Sequence, residues 1–363
     1  MKIAILTLPF NFNYGGLLQA YALQEVLKNM GHEVVFLNRR KNRNSTFKHT
    51  LVKLKWWFAD NIPLLLNNKN LSNLTTFKKN RIDSILSASF SSEQLAYQCK
   101  KEKIEAVIVG SDQIWRYTAT PDAEDAFLKF VPQGIKKIAY APSFGTDQWE
   151  YPEEITAKLA SLAKEISRIS VRESSGIELC SNYLGVDAIN LVAPTLLLTC
   201  NNYISVLSDN NKANEISGAF AYVLDQTANK KDLVKSCAEH LGETNVYYIQ
   251  DLSDNSVYQW INAFKSAKCI ITDSFHGTVF SIIFNKPFVV IANNKRGRAR
   301  FDSILSLLGL KDRLIDDNAE ATSIVKASST AIDWSDVNKK LNDCRERSCF
   351  QTSNLVCCQC NSL

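Results

Sequence analysis

Ile270-Ile271-Thr272-Asp273-Ser274-Phe275-His276-Gly277-Thr278-Val279-Phe280-Ser281 is the stretch whose reading decides the fold. Cys269–Thr272 is an apolar, β-branched run with strand character, Asp273 and Ser274 form a tight polar turn, and the apolar residues from Gly277 to Phe284 suit a buried helix. His276 then stands at a helix N-terminus. Unpaired N–H groups and a partial positive charge there favour a phosphate or carboxylate, which an imidazole can hydrogen-bond or protonate. The competing reading is a turn histidine that caps the helix and touches solvent. The chain has four histidines, and this one occupies the best chemical position.

Outward from this stretch the alternation continues in both directions. Upstream, the pattern predicts a strand from Gly218 to Leu224, a helix Lys230–Leu241, a strand Asn245–Ile249 and a helix Val257–Ser266. Downstream it predicts a strand Phe288–Ile291 and then Asn293-Asn294-Lys295-Arg296-Gly297-Arg298-Ala299-Arg300, with four cations in the six residues 295–300, before a helix Phe301–Leu308. A charge run is commonly a solvated face, but one that follows a strand and opens a helix is also placed to contact phosphate.

The N-terminal half has the same character. Strand Lys2–Leu8, helix Leu17–Met30 and strand Glu33–Leu37 make a βαβ opening. The loop between the first two carries Asn13-Tyr14-Gly15-Gly16, whose glycines would let backbone approach a ligand. Its glycine spacing is not that of a dinucleotide fingerprint. Helix Glu93–Lys101 follows, and strand Ala106–Val109 ends in Gly110-Ser111-Asp112-Gln113-Ile114-Trp115. Strand Lys137–Ala141 leads into Pro142-Ser143-Phe144-Gly145, helix Glu153–Ile166 comes next, and strand Ile169–Arg172 precedes a helix Ser174–Leu184 with Ser174 at its N-cap. Polar turns at the carboxyl ends of strands are where open α/β sheets place ligands. Cys200–Asn214 reads as a polar interdomain crossing and Asp333–Cys344 as a final helix that packs back on the first domain.

The expected architecture is therefore α/β, two Rossmann-like domains facing a cleft, over residues 1–195 and 215–325, with a C-terminal helix and cysteine-rich tail at 326–363. Composition agrees: of 363 residues, 45% are hydrophobic and 22% charged, and the net charge is +5. That balance excludes a fibrous or disordered chain and mildly favours anionic ligands. No nucleic-acid-binding signature accompanies it, and no secretory leader or spanning segment is evident, which predicts a cytoplasmic protein with reduced thiols. Segment 47–69 mixes Lys48, Lys53 and Lys55 with Trp56, Trp57 and Phe58, so it reads either as an inserted packing helix or as a peripheral contact with the inner face of the membrane. Cys344, Cys349, Cys357, Cys358 and Cys360 do not follow the spacing of a zinc or iron–sulfur motif.

Taken together, Asn13-Tyr14-Gly15-Gly16 with Gln19-Ala20-Tyr21-Ala22-Leu23-Gln24, Gly110–Trp115, Tyr140–Gly145, Val171-Arg172-Glu173 and Thr272–Gly277 resemble the polysaccharide pyruvyl transferase family over roughly residues 1 to 310. The resemblance implies a GT-B-like fold and transfer of the enolpyruvyl skeleton of phosphoenolpyruvate onto two hydroxyls of a sugar, lipid-linked or not, to give a cyclic pyruvate ketal in a surface or capsular polysaccharide precursor. It implies no cofactor or metal beyond the donor substrate. It also implies that Arg172 and His276 contact phosphoenolpyruvate in the C-terminal half of the cleft, with the acceptor on the N-terminal side. Where several relatives carry arginine two residues before that histidine this chain has Ser274, and where the family often has aspartate before Pro-Thr-Leu it has Ala193. Lys295, Arg296, Arg298 and Arg300 become the substitute cations.

His276 then suits an acid of near-neutral pKa or a phosphate ligand, and Asp112 or Asp273 a base for the acceptor hydroxyl. Ser274, Phe275, Asn13, Tyr14, Gly15, Gly16, Ser111 and Gln113 complete the expected binding surface. The alternatives are a nucleotide-sugar glycosyltransferase of the same fold and a non-catalytic carbohydrate-binding relative.

Overall fold

The computed structural model describes residues 1–10, 13–41, 69–208, 215–252, 256–292 and 297–357. Two parallel sheets organise it. The first carries β1 (Lys2–Leu6), β2 (Glu33–Leu37), β3 (Ala106–Gly110), β4 (Lys136–Tyr140), β5 (Arg168–Val171) and β6 (Ile189–Asn190) in the order β2-β1-β3-β4-β5-β6. The second carries β7 (Ala219–Tyr222), β8 (Val246–Tyr248), β9 (Cys269–Thr272), β10 (Phe288–Ile291) and β11 (Leu314–Ile315) in the order β11-β10-β9-β7-β8. Every pairing is parallel. Parallel strands are buried on both faces, and β3 accordingly reads AVIVG with all five residues buried.

Helices cover both sheets: α1 (Tyr14–Asn29), α2 (Lys69–Arg81), α3 (Ser92–Lys101), α4 (Ala123–Ala126), α5 (Glu153–Ala163) and α6 (Ser175–Leu179) with the first, then α7 (Cys200–Leu207), α8 (Ala228–His240), α9 (Val257–Ser266), α10 (Phe275–Ile283), α11 (Ala299–Leu308), α12 (Ala321–Ser329) and α13 (Trp334–Cys357). Strand order reverses between β1 and β3 in one sheet and between β7 and β9 in the other, so each domain has one switch point at its strand ends. This is the GT-B-like arrangement of two Rossmann-like domains around a cleft.

Several expectations need correcting. Residues 200–207 are not a polar crossing but α7, capped by Thr199: its Oγ1 accepts from Asn202 N at 3.4 Å, and Asn202 Oδ1 accepts from Thr199 N at 2.8 Å. Tyr203 and Val206, one turn apart, are fully buried on it. Helices α1 and α10 begin three and two residues earlier than expected, which draws Gly15, Gly16 and His276 into first turns. Ser174 occupies its N-cap position without a side-chain capping bond, and the helix ends in a π turn at Cys180–Leu184. Helix α13 runs to Cys357, far beyond Cys344, and does reach the first domain: Arg345 donates to the carbonyls of Leu196 (2.7 Å) and Leu198 (3.0 Å).

Segment 47–69, apart from the backbone of Lys69 in α2, lies outside the described residues, as do Lys295, Arg296, Cys358 and Cys360. No helix among the described residues is long and apolar enough to cross a membrane. Among them, no group of three or more histidine, cysteine or acidic side chains is placed to hold a metal ion.

An apolar seam joins the domains. Tyr14 of α1 stacks on Trp260 of α9, with ring centroids 5.7 Å apart and planes 8° apart, and meets Tyr222 of β7 edge-on at 6.4 Å. Such ring pairs add about 0.5–1.5 kcal/mol each beyond the area they bury.

Candidate active site

The N-termini of α1 and α10 meet across the cleft. Asn13 caps the first, accepting from Gly16 N at 3.2 Å, and Ser274 caps the second, accepting from Gly277 N at 3.4 Å. A Cβ on Gly15 would fall 2.0 Å from His276 Nδ1, so the first domain's helix can approach the second domain's imidazole this closely only because residue 15 has no side chain. Nδ1 thus faces Gly15, while His276 Nε2 is buried and has no hydrogen-bond partner among the described residues.

Beside this contact, Asp112 ends the turn after β3 with φ 74°, a left-handed conformation that aspartate adopts more readily than most residues. Its Oδ1 accepts from Gln113 N at 2.9 Å, and its Oδ2 lies 3.2 Å from where a side chain on Gly16 would start. The Oγ of Ser111, fully buried next to it, has no partner among the described residues. Gln113 packs on Gly145, its Nε2 only 2.1 Å from that residue's Cβ position.

Arg172 follows β5 and is 4% exposed. None of its guanidinium nitrogens has a hydrogen-bond partner among the described residues. Glu173 Oε2 stands 4.0 Å from its Nε, too far for a hydrogen bond, and its carbon Cζ lies 4.6 Å over the ring of Phe275. Arg300, in the first turn of α11, approaches the other side of the cluster, 5.7 Å from the same ring. A desolvated cation–π contact contributes about 2 kcal/mol, whereas burying a cation costs several, so the ring offsets only part of the cost.

Electrostatics follow from burial. His276 is pushed down to about 3, first by desolvation and then by the charges of Arg172 and Arg300, with Asp112 opposing. Arg300 falls to about 9, desolvation first and the charge of Arg172 next, and burial likewise lowers Arg172. Burial therefore keeps the imidazole neutral at pH 7, not the near-neutral acid expected from the sequence.

Three expected site residues go elsewhere. Asp273 is a staple: it accepts from Leu224 N (2.6 Å) and Asp225 N (3.3 Å) and pairs with Lys230 Nζ at 2.7 Å, tying the loop after β7 to the end of β9. All that charge is satisfied within its own domain, which removes it as a base. Arg298 is exposed and pairs with Asp316 and, at 3.4 Å, with Asp302, so of the cation run's described members Arg300 alone enters the cleft. Tyr14 belongs to the domain seam.

Sequence reasoning missed Glu173 and Gly297. Glu173 Oε1 accepts from Phe144 N (2.6 Å) and Gly145 N (3.2 Å), shaping the turn after β4 beside Arg172. Gly297, at φ 89°, brings its Cβ position 1.6 Å from the Gly145 carbonyl oxygen, a second contact between domains that admits only glycine. No sequence signal pairs Gly145 with Gly297, because the contact exists only once the two domains are together.

Fold and site together define a two-domain protein of GT-B-like class with a cation-lined site between its domains. The sequence model of the polysaccharide pyruvyl transferase family matches residues 13–295, and the chain belongs to that family of transferases, whose members act on a saccharide acceptor. No curated protein sequence matches the chain. Among solved structures it is similar to the Methanocaldococcus jannaschii UDP-GlcNAc 2-epimerase (13% identity, 91% of this chain and 92% of that one, TM-score 0.48). It is similar also to Arabidopsis thaliana UGT89C1 (10% identity, 96% and 99%, TM-score 0.46) and to the glycosyltransferase VinC (11% identity, 98% of each chain, TM-score 0.45).

Proposed function

We propose that the protein moves the pyruvyl skeleton of phosphoenolpyruvate onto two hydroxyls of a sugar, forming a cyclic ketal and releasing inorganic phosphate. The observation that carries this reading is Arg172: a buried guanidinium at the domain junction whose nitrogens have no acceptor among the described residues. Its fork matches a carboxylate or phosphate, and Arg300 supplies the second cation that a ligand bearing both groups requires.

The chemistry divides among three elements. Arg172 and Arg300 hold the donor's negative charge. His276 Nε2 faces the donor; the bound anion favours the imidazolium that burial disfavours, so the acid forms when its substrate is in place. That proton goes to the methylene carbon of phosphoenolpyruvate, C2 becomes oxocarbenium-like, and the first sugar hydroxyl adds there as Asp112 accepts its proton. The C2–O bond to phosphate then breaks as Asp112 passes its proton to the departing phosphate, and the second hydroxyl closes the ketal while its proton returns to His276 Nε2.

Calorimetric titration of phosphoenolpyruvate tests the donor site. Arg172→Ala is expected to weaken binding by about 1.5–3 kcal/mol, the range for charge-assisted hydrogen bonds, and Arg172→Lys to recover little because an ammonium lacks the fork. Equal affinity in wild type and Arg172→Ala removes Arg172 from the site and the reading with it.

A further inference from the structure

Next to the donor cations lies a half-used ion pair beside an exposed aromatic ring. Arg116 Nη2 meets Glu150 Oε1 at 3.4 Å, a single contact where guanidinium and carboxylate commonly form two. The other half of each fork is idle: Arg116 Nε and Glu150 Oε2 are both buried without a hydrogen-bond partner among the described residues. The side chains themselves reach the surface, 20% and 28% exposed. Beside them Tyr117 is 39% exposed, its ring edge-on to that of Tyr151 at 5.1 Å, and Tyr151 is anchored by its hydroxyl to the Trp115 carbonyl at 2.9 Å.

The position is not arbitrary. Arg116 and Tyr117 are on the loop after β3 and Glu150 is on the loop after β4, both at the carboxyl ends of strands of the first domain. Arg116 Cδ is 3.1 Å from the Cβ position of Gly145, the residue against which Gly297 of the second domain packs, and the charge of Arg116 is felt at Arg300. The pair therefore borders the donor cations on the side of the first domain.

We propose that Arg116, Tyr117 and Glu150 form the subsite that holds the acceptor saccharide, a refinement that rests on the pyruvyl-transfer reading. One sugar hydroxyl accepts from Arg116 Nε while it or its neighbour donates to Glu150 Oε2, a donor–acceptor combination that a diol satisfies and a simple anion does not. The face of the sugar ring covers Tyr117, whose amphipathic ring suits a ligand that is apolar on its faces and polar at its edges.

The test separates binding from turnover. Saturation-transfer NMR with a panel of nitrophenyl hexosides and N-acetylhexosaminides reads acceptor binding directly, and calorimetry reads phosphoenolpyruvate binding. Tyr117→Ala and Glu150→Gln are each expected to cut the saturation transfer from a bound glycoside at least fivefold and to leave phosphoenolpyruvate affinity within twofold of wild type. Where turnover is measurable, acceptor KM rises at least tenfold with kcat little changed. Glycoside signals that persist in both variants, or no glycoside signal from wild type, overturn the subsite. A parallel fall in phosphoenolpyruvate affinity overturns it too, by assigning the pair to the donor. Glycoside binding that depends on Tyr117 in a protein that never binds phosphoenolpyruvate leaves the subsite standing and sinks the donor reading instead.

Discussion

His276 concentrates the site's chemistry in one side chain. Its ordinary value is 6.5, and in the folded protein burial holds it near 3. Between those values the unfolded chain binds a proton that the folded chain does not, so folding stability is complete above pH 6.5 and is lost as pH falls, at about 1.4 kcal/mol per pH unit. Urea titrations are expected to show wild type losing stability between pH 6.5 and 5 relative to His276→Gln; parallel curves would mean the imidazole is not desolvated. The sequence placed this histidine at a helix start, yet its neutrality was not legible there, because it arises first from burial against the opposing domain and then from the charges of Arg172 and Arg300. Asp273 shows the same limit. Its neighbours in sequence made it a candidate base, and only Lys230, 43 residues away, reveals it as a staple.

Among the elements, α1 and α10 form the junction on which the site depends, and their contact passes through Gly15. Adding one methyl there puts Cβ within 2.0 Å of His276 Nδ1, which forces the two helices apart. Displacements near 1 Å at a reacting group cost roughly 10²-fold in rate, so Gly15→Ala is expected to lower turnover at least that far. Its far-UV circular dichroism should remain that of wild type, because α1 gains a better helix former. Turnover equal to wild type contradicts the close approach. Strands were the most legible elements: β2 and β9 match their expected bounds, since buried parallel strands are continuous apolar runs between turn residues. Helix α7 escaped notice because its cap uses Asn202 in place of the glutamate or glutamine that usually closes a capping box.

At the scale of the molecule, two switch points face each other and the site lies where they meet, with α13 fastening the second domain back to the first through Arg345. The alternation of strands and helices made this architecture readable from the sequence, while the pairing of Gly145 with Gly297 and of Gly15 with His276 required both domains to be in place. The arrangement would serve a nucleotide-sugar glycosyltransferase as well as a pyruvyltransferase, so the donor decides the matter. The most direct measurement is release of inorganic phosphate from phosphoenolpyruvate, followed together with the mass of the acceptor across hexosides, N-acetylhexosaminides and lipid-linked glycans. We predict phosphate release only when a sugar with two suitably spaced free hydroxyls is present, accompanied by the mass gain of one pyruvate ketal. No release with any acceptor, alongside turnover of a nucleotide sugar, would contradict the account.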